Sequence, residues 1–493
     1  MYPTLLWVSV AIFTIVTVVY LRQDFSSVFH PISLYLVFHG LVFVVRPLFA
    51  YSRHYDFLYR VYRFDPSPDV KATVIICANL GLLAFFAGAW KSGSAPLAFN
   101  QGPAELAHRK RLIPAFLLAS MLVAPLALAS IISVYYSGYA GMRLDVNTGV
   151  TINTSANGWL YEAQLMLVPL SVLIAWTFRF RLWSILPLIL FVTVRAGTGG
   201  RGPFIVACAA TGLLWMFDKR RRWPALWMFA IILPLVAGFY VLGQERGAVR
   251  AFLDNGKIIE LHEKTGFMET MDWANMEFFE YLVETVPRKT GTYGYFVDNL
   301  QLVTEPIPRK LWANKPIGAP VKMFNLFDYG NPIGMTYSLP GYGWMQLGYF
   351  GVALWCALWG YGLGWVYSRF VRGAQSNFQV AFYFAFLPIF IIAFRDGGLV
   401  TIARTGVFYL SPVLIWMWAA RALGIPDPAD LARRAARGKR VEQSSDAILG
   451  AEMVRTPPAR GSAVLAPPPR RRIAGGETVP RAWRNRSGPQ QAR

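Results

Sequence analysis

Basic side chains recur in this sequence where long apolar runs end. Arg195 and Arg201 flank the turn Gly197-Thr198-Gly199-Gly200-Arg201-Gly202-Pro203, and Arg246 and Arg250 follow the apolar run 228–242. Arg309, Lys310 and Lys315 stand in Pro306-Ile307-Pro308-Arg309-Lys310-Leu311-Trp312-Ala313-Asn314-Lys315-Pro316, and Arg395 and Arg404 bracket a short loop. Charge at the edge of an apolar layer is costly unless it is paired or lines a polar cavity. Guanidinium offers fixed donors that match phosphate oxygens, so the set suits a phosphate- or pyrophosphate-bearing ligand at a membrane surface. Four-residue spacing puts Arg246 and Arg250 on one helical face. The glycines around Arg201 admit close approach of a ligand to backbone. Candidates for binding such a ligand are Arg201, Arg246, Arg250, Arg309, Lys315 and Arg395. The ordinary alternative for each is snorkelling or a local ion pair, with Glu245 placed to neutralise one of its neighbours.

A proton acceptor is harder to find. His262 is the lone histidine of the segment 244–340, and imidazole can take a hydroxyl proton near neutral pH. It lies in Glu260-Leu261-His262-Glu263-Lys264, which also reads as a solvated helix face. Glu245, Glu269 and Asp272 are its rivals. His39, inside an apolar run, is expected to be a hydrogen-bonded core residue. Aromatic residues crowd the same segment, among them Trp273, Phe278, Tyr293, Tyr295, Trp312, Tyr337 and Tyr342. They suit sugar stacking, and equally a membrane-interface belt. The sequence holds no H-E-x-x-H pair, no G-x-x-x-x-G-K-[ST] loop and no acidic loop with EF-hand spacing. No metal or nucleotide cofactor is therefore expected. Gly360, Gly362 and Gly364 are expected to let helices pack closely.

The elements that must position these groups are membrane helices. Of 493 residues, 55% are hydrophobic and 15% charged, and mean hydropathy is +0.38. Length alone would allow roughly three soluble domains, but runs such as 5–19, 112–134 and 228–242 are long enough to cross a ~30 Å apolar layer. The fold class expected is an all-α polytopic membrane protein with about eleven spans. They cover 4–21, 31–51, 71–90, 112–136, 159–178, 182–197, 203–217, 223–243, 341–367, 378–394 and 399–420. The sixth and seventh are short. Cys77, Cys208 and Cys356 all lie in apolar runs and read as small buried hydrophobes.

The net charge of +21 is read as basic loops and tail rather than nucleic-acid binding. His108-Arg109-Lys110-Arg111, Arg179 with Arg181, Lys219 to Arg222, and Arg369 with Arg372 fall on one side, expected to be cytoplasmic. The loops 52–70, 137–158, 197–202, 244–340 and 395–398 then face outward, although Arg53, Arg60 and Arg63 run against the rule. The expected organisation is a transmembrane bundle over 1–243, a large outer loop over 244–340 with helix-compatible stretches at 251–264 and 268–286, further spans over 341–424, and a disordered basic tail over 425–493 touching anionic lipid.

The stretch Pro308 to Pro316 resembles a P-R-x-L-W-x-x-K-P-like motif of the Wzy-type oligosaccharide repeat-unit polymerases. A Gly-rich entry into a span follows, Leu339-Pro340-Gly341-Tyr342-Gly343-Trp344-Met345-Gln346-Leu347-Gly348-Tyr349-Phe350-Gly351, and Gly200-Arg201-Gly202 matches an upstream G-R-G-like turn. The resemblance covers roughly 190–410. Many relatives carry an acid after the glycine where this chain has Gly343-Trp344. The resemblance implies a GT-C-like, metal-independent, inverting glycosyltransferase in the bacterial inner membrane. Its partners would be undecaprenyl-pyrophosphate-linked oligosaccharide, membrane lipids and a chain-length regulator. It would join repeat units of a surface polysaccharide at the periplasmic face. Two alternatives stay open: an O-antigen ligase acting on lipid A core, and a flippase for the same lipid-linked glycan.

Overall fold

The computed structural model describes residues 2–99, 101–137, 142–144, 151–153, 158–197, 202–230, 268–269, 273–307, 311–312, 314–316, 318–330, 332, 336–373, 375–425 and 427. All fall in the unit Met1–Ala432; residues 428–493, most of the expected tail, lie outside the described set.

Apolar length dictates the elements. Among the described residues seven helices are long and apolar enough to cross a membrane. They include α1 (Tyr2–Leu21), which shows lipid-type faces with Trp7 67% and Ile15 62% exposed. The second span joins α2 (Pro31–His39), a π-helical turn Gly40–Val45, and α3 (Arg46–Arg53). Phe13 packs over Gly40, where a Cβ would lie 2.8 Å from the ring, and the widened turn delivers Arg46 into the interior. A short α4 (Phe57–Tyr62) follows, then α5 (Pro68–Gly93), started by Ser67 accepting from the Val70 amide and by Pro68 at its first turn. Next come α6 (Pro103–Arg111), α7 (Ile113–Ser137), α8 (Leu167–Thr177), α9 (Leu182–Gly197) and α10 (Gly202–Asp218). Of the last three, α9 and α10 correspond to the short expected spans, α8 occupies only part of the expected span 159–178, and most of the expected span 223–243 lies outside the described residues.

One feature of the loop 137–158 was not expected: Met142–Leu144 pairs antiparallel with Thr151–Asn153, Arg143 opposite Ile152. β-branched residues at 150–152 favour the pairing. In the expected outer loop, 268–286 contains α11 (Asn275–Thr285), followed by the single turn α12 (Gln301–Thr304). The chain ends its described part with α13 (Leu339–Arg372), α14 (Asn377–Asp396) and α15 (Leu399–Ala422). Ser376 and Gln379 close a capping box on α14, and Gly397 ends it with φ +74. With 72% of its apolar window buried, α14 is the most enclosed span.

The tightest packing is between α5 and α13, and glycine is the reason. A Cβ on Gly360 would run into the Phe85 carbonyl, and one on Gly88 would lie 2.9 Å from the Tyr361 amide. Gly364 sits equally close to Ala89. Backbones that approach this closely gain dispersion contacts a longer side chain would forbid. Gly362 departs from expectation, since a Cβ there would meet nothing within 4 Å; at that point of the helix the packed face has rotated away.

The basic segments meet at one end of the bundle. Arg222 donates to the Leu97 carbonyl, Arg220 to Gln101, and Arg109 pairs with Asp218 at 2.9 Å. The opposite end carries α11, and is called the cap end below. His39 is a correction: it is fully buried among Phe13, Tyr35 and Phe43, but neither ring nitrogen is hydrogen-bonded. Among the described residues the aromatic cage around it supplies no hydrogen bond to the ring. Cys77 and Cys356 are buried as expected, and Cys208 is half-buried.

Candidate functional site at the cap end

Helix α13 is broken. Leu347 (φ −155, ψ 27) and Gly348 (φ 61, ψ −141) leave helical geometry, and the chain reverses there. In a continuous helix residues 343 and 351 would stand about 12 Å apart. Instead a Cβ on Gly343 would lie 2.7 Å from the Gly351 carbonyl oxygen, so 339–346 folds back against the start of 349–372. The expected span 341–367 is thereby corrected: its first turns are a folded-back half-helix, and 349–372 still covers about 36 Å at 1.5 Å per residue. The positive φ at 348 favours glycine. The break frees carbonyls that must find donors. Gly294 and Tyr295 amides supply them, to Met345 at 2.9 Å and Gln346 at 3.1 Å, and Trp344 Nε1 reaches the Val286 carbonyl at 2.9 Å.

Above this half-helix lies a cavity of about 430 Å³, within the size range of small-ligand sites. Its wall carries Asp298, Asn299, Gln346, Asp396 and Thr401, with Lys322 on the far side and the rings of Phe278, Tyr337 and Tyr342. The Tyr342 hydroxyl is the donor to both Asp298 Oδ2 at 2.8 Å and Asn299 Oδ1 at 3.0 Å. Gln346 Nε2 donates to Asp298 Oδ1 at 3.1 Å. Burial raises the Asp298 carboxyl above its ordinary value, and the Tyr342, backbone and Gln346 hydrogen bonds oppose that rise. Burial, with the charges of Asp396 and Asp298, likewise raises the Tyr337 phenol. Stacking faces, neutral donors and carboxylates together make a surface suited to hydroxyl-rich rings.

Beside it, Arg46 reaches from the second span to α11. It is fully buried, pairs with Glu277, and donates from Nε to the Met268 carbonyl at 3.1 Å. Glu280, one turn along, accepts from Tyr59 Oη at 2.7 Å and is fully buried. Burial first, and then the Glu277 charge, pushes its carboxyl up to about 8. Among the described residues Arg46 Nη2, Glu277 Oε2 and Glu280 Oε1 have no hydrogen-bond partner.

The residues expected from sequence distribute unevenly. Arg201, Arg246, Arg250, Arg309 and His262 lie outside the described residues, as do Glu245 and Asp272. Lys315 Nζ donates to the Glu305 and Ile307 carbonyls at 2.9 and 3.0 Å, where it braces the loop. Arg395 is at the cap end of α14; its carbonyl accepts from the Ser338 amide and Asn275 Nδ2, and its Nε is buried without a partner. Arg404 stands 4.0 Å from Glu305. Glu269 accepts from the Asp56 and Phe57 amides, at the start of α4. Sequence reasoning missed Arg46, Asp298 and Gln346, and named Tyr342 only among the aromatic residues suited to sugar stacking. Arg46 had a signal, a charge inside the apolar run 31–51. Gln346 had a weaker one, an amide between Gly343 and Gly348 at the mouth of a span.

The family model for O-antigen polysaccharide polymerase Wzy matches residues 1–422, every described residue except three beyond Ala422 and Asp427. No curated protein and no solved structure matches the chain significantly. The chain belongs to the O-antigen polysaccharide polymerase family and is a multi-pass membrane protein.

Proposed function

We propose that this member of the polymerase family joins undecaprenyl-pyrophosphate-linked oligosaccharide repeat units at the periplasmic face of the bacterial inner membrane. The cap-end cavity is the observation that carries the reading. It stands at the end of the bundle opposite the basic loops, where the positive-inside tendency places the outside. Its aromatic faces and neutral donors suit sugar rings, and its depth beside a folded-back helix suits a lipid-anchored donor lying in the membrane.

The transfer is a GT-C-like, inverting displacement without a metal ion. A hydroxyl at the nonreducing end of one unit attacks the anomeric carbon of the growing chain, and lipid pyrophosphate leaves. Negative charge develops on the leaving group, and fixed cationic donors stabilise it. Arg201, Arg246, Arg250 and Arg309 are assigned that task, with Arg395, the chain neighbour of the cavity-lining Asp396; Lys315 reinforces the loop that carries Arg309. His262 is the proton acceptor expected from sequence. A chain-length regulator would act from outside this chain.

Purified protein given synthetic polyprenyl-pyrophosphate repeat units, without metal or nucleotide, should yield a product ladder spaced by whole repeats. Donor left intact, then consumed only when lipid A core is added, would replace polymerase with ligase. Transbilayer movement in vesicles without any new bond would replace it with flippase.

A further inference from the structure

We infer that Asp298 accepts the proton of the attacking sugar hydroxyl, which makes it a catalytic residue of the transfer. This rests on the functional reading above, and its test separates the two.

Two carboxylates line the cavity, and their surroundings differ. Asp396 closes a local turn, Oδ1 accepting from the Gly398 amide at 3.1 Å, with the charges of Arg404 and Arg395 near it. Those cations favour its ionised form. Asp298 is held by neutral groups alone: Tyr342 on Oδ2, Gln346 on Oδ1, and the backbone amides of Asp298 and Asn299. Among the described residues it forms no ion pair. These hydrogen bonds fix the plane of the carboxylate at the cavity wall. Both side-chain donors belong to the folded-back half-helix, whose position is itself fixed by the Gly294 and Tyr295 amides. The rigidity that orienting a base requires is therefore built into the membrane helix.

The step balances as follows. The acceptor O–H proton passes to Asp298 while the oxygen's electron pair forms the bond to the anomeric carbon. The bond from that carbon to the pyrophosphate oxygen breaks, and its electron pair leaves with the lipid pyrophosphate. Asp298 then gives its proton to water.

The groups facing Asp298 are Tyr342 and Gln346 from α13 and Asn299 from its own segment. Tyr337, Asp396 and Lys322 share the cavity. Burial raises the carboxyl, so wild-type turnover should show an acid limb above the usual carboxylate range, falling as pH drops.

The test measures ladder formation against pH for the full chain in nanodiscs, with the synthetic repeat unit as probe. Asp298→Asn should lower turnover by about 10²–10⁴-fold, flatten the acid limb, and leave donor binding within about threefold, with Asp298→Glu restoring part of the rate. Should Asp298→Asn fail to fold, Tyr342→Phe decides. Loss of its hydrogen bond disfavours the ionised carboxylate, so the acid limb must move to higher pH. An unchanged rate and acid limb in Asp298→Asn, an unmoved limb in Tyr342→Phe, or an acid limb abolished instead by His262→Ala, overturns the assignment. A wild type that makes no ladder overturns the polymerase reading, and this inference with it.

Discussion

Arg46 and Glu277 form an ion pair closed off from solvent, 0% and 4% exposed at their side chains, that ties the second membrane span to the helix covering the cap end. Glu277 is followed in the chain by Phe278, which lines the cavity, so the pair sets where one wall of the site stands. Coulomb attraction across such a pair roughly offsets desolvation while both members are present.

Removing one member should therefore be costly. Arg46→Met or Glu277→Gln alone is expected to destabilise the fold by about 3–5 kcal/mol, because the remaining group is left buried and uncompensated. The double change should recover much of the loss. Thermal unfolding in detergent, read by intrinsic tryptophan fluorescence, checks both.

Glu280 makes stability depend on pH. Its carboxyl is raised from 4.5 to about 8, with Tyr59, Lys71 and Arg46 opposing burial and Glu277. Between these values the native state holds a proton that the unfolded state has released, so stability falls as pH rises from about 4.5 to about 8 and is level beyond. Glu280→Gln should flatten that slope in a series of melting temperatures, and an unchanged slope would refute the assignment.

Glycines on α13 should respond oppositely according to what they face. Gly360→Ala collides with the Phe85 carbonyl and should cost about 1–3 kcal/mol, the range for overpacking. Gly362→Ala meets open space and should be neutral or slightly stabilising, since alanine is the better helix former. Paired melting curves decide it.

Single Arg→Ala changes at 201, 246, 250 or 309 should abolish or shorten polymer while membrane insertion stays normal. Loss of one donor to a developing charge typically costs about 10²–10³-fold in rate. Unchanged polymer yield and length in an Arg201→Ala, Arg246→Ala pair would remove both from the site.

The helices were legible because a span announces itself locally: a run of apolar residues of sufficient length needs no partner to be recognised. The cavity was not. Asp298 meets Tyr342 across 44 positions, and only because the chain reverses at Leu347 and Gly348. In sequence, 341–367 reads as one span, and the nine residues from Gly343 to Gly351 carry no sign that their ends touch. Arg46 was legible in principle, being a charge within an apolar run, yet its partner Glu277 lies 231 positions away. Gly360 and Gly362 show the same limit at smaller scale. Identical residues two apart differ in function because helix rotation, which composition does not record, sends one to a neighbour and the other to open space.

The glycine-lined seam between α5 and α13 has a consequence for how the protein is made. Its partners, such as Ser92 and Tyr361, are 269 positions apart, so the early helix must wait in the membrane while every intervening span is inserted. Contacts so distant in the chain close late and slowly. Until they close, the notched face of α5 has no partner, and the half-helix at the head of α13 lacks the contact that Pro340 makes beside Gly81. A chain interrupted before residue 339 would thus hold most of its spans and none of its chamber, and biogenesis would complete the cap-end cavity only as its final act.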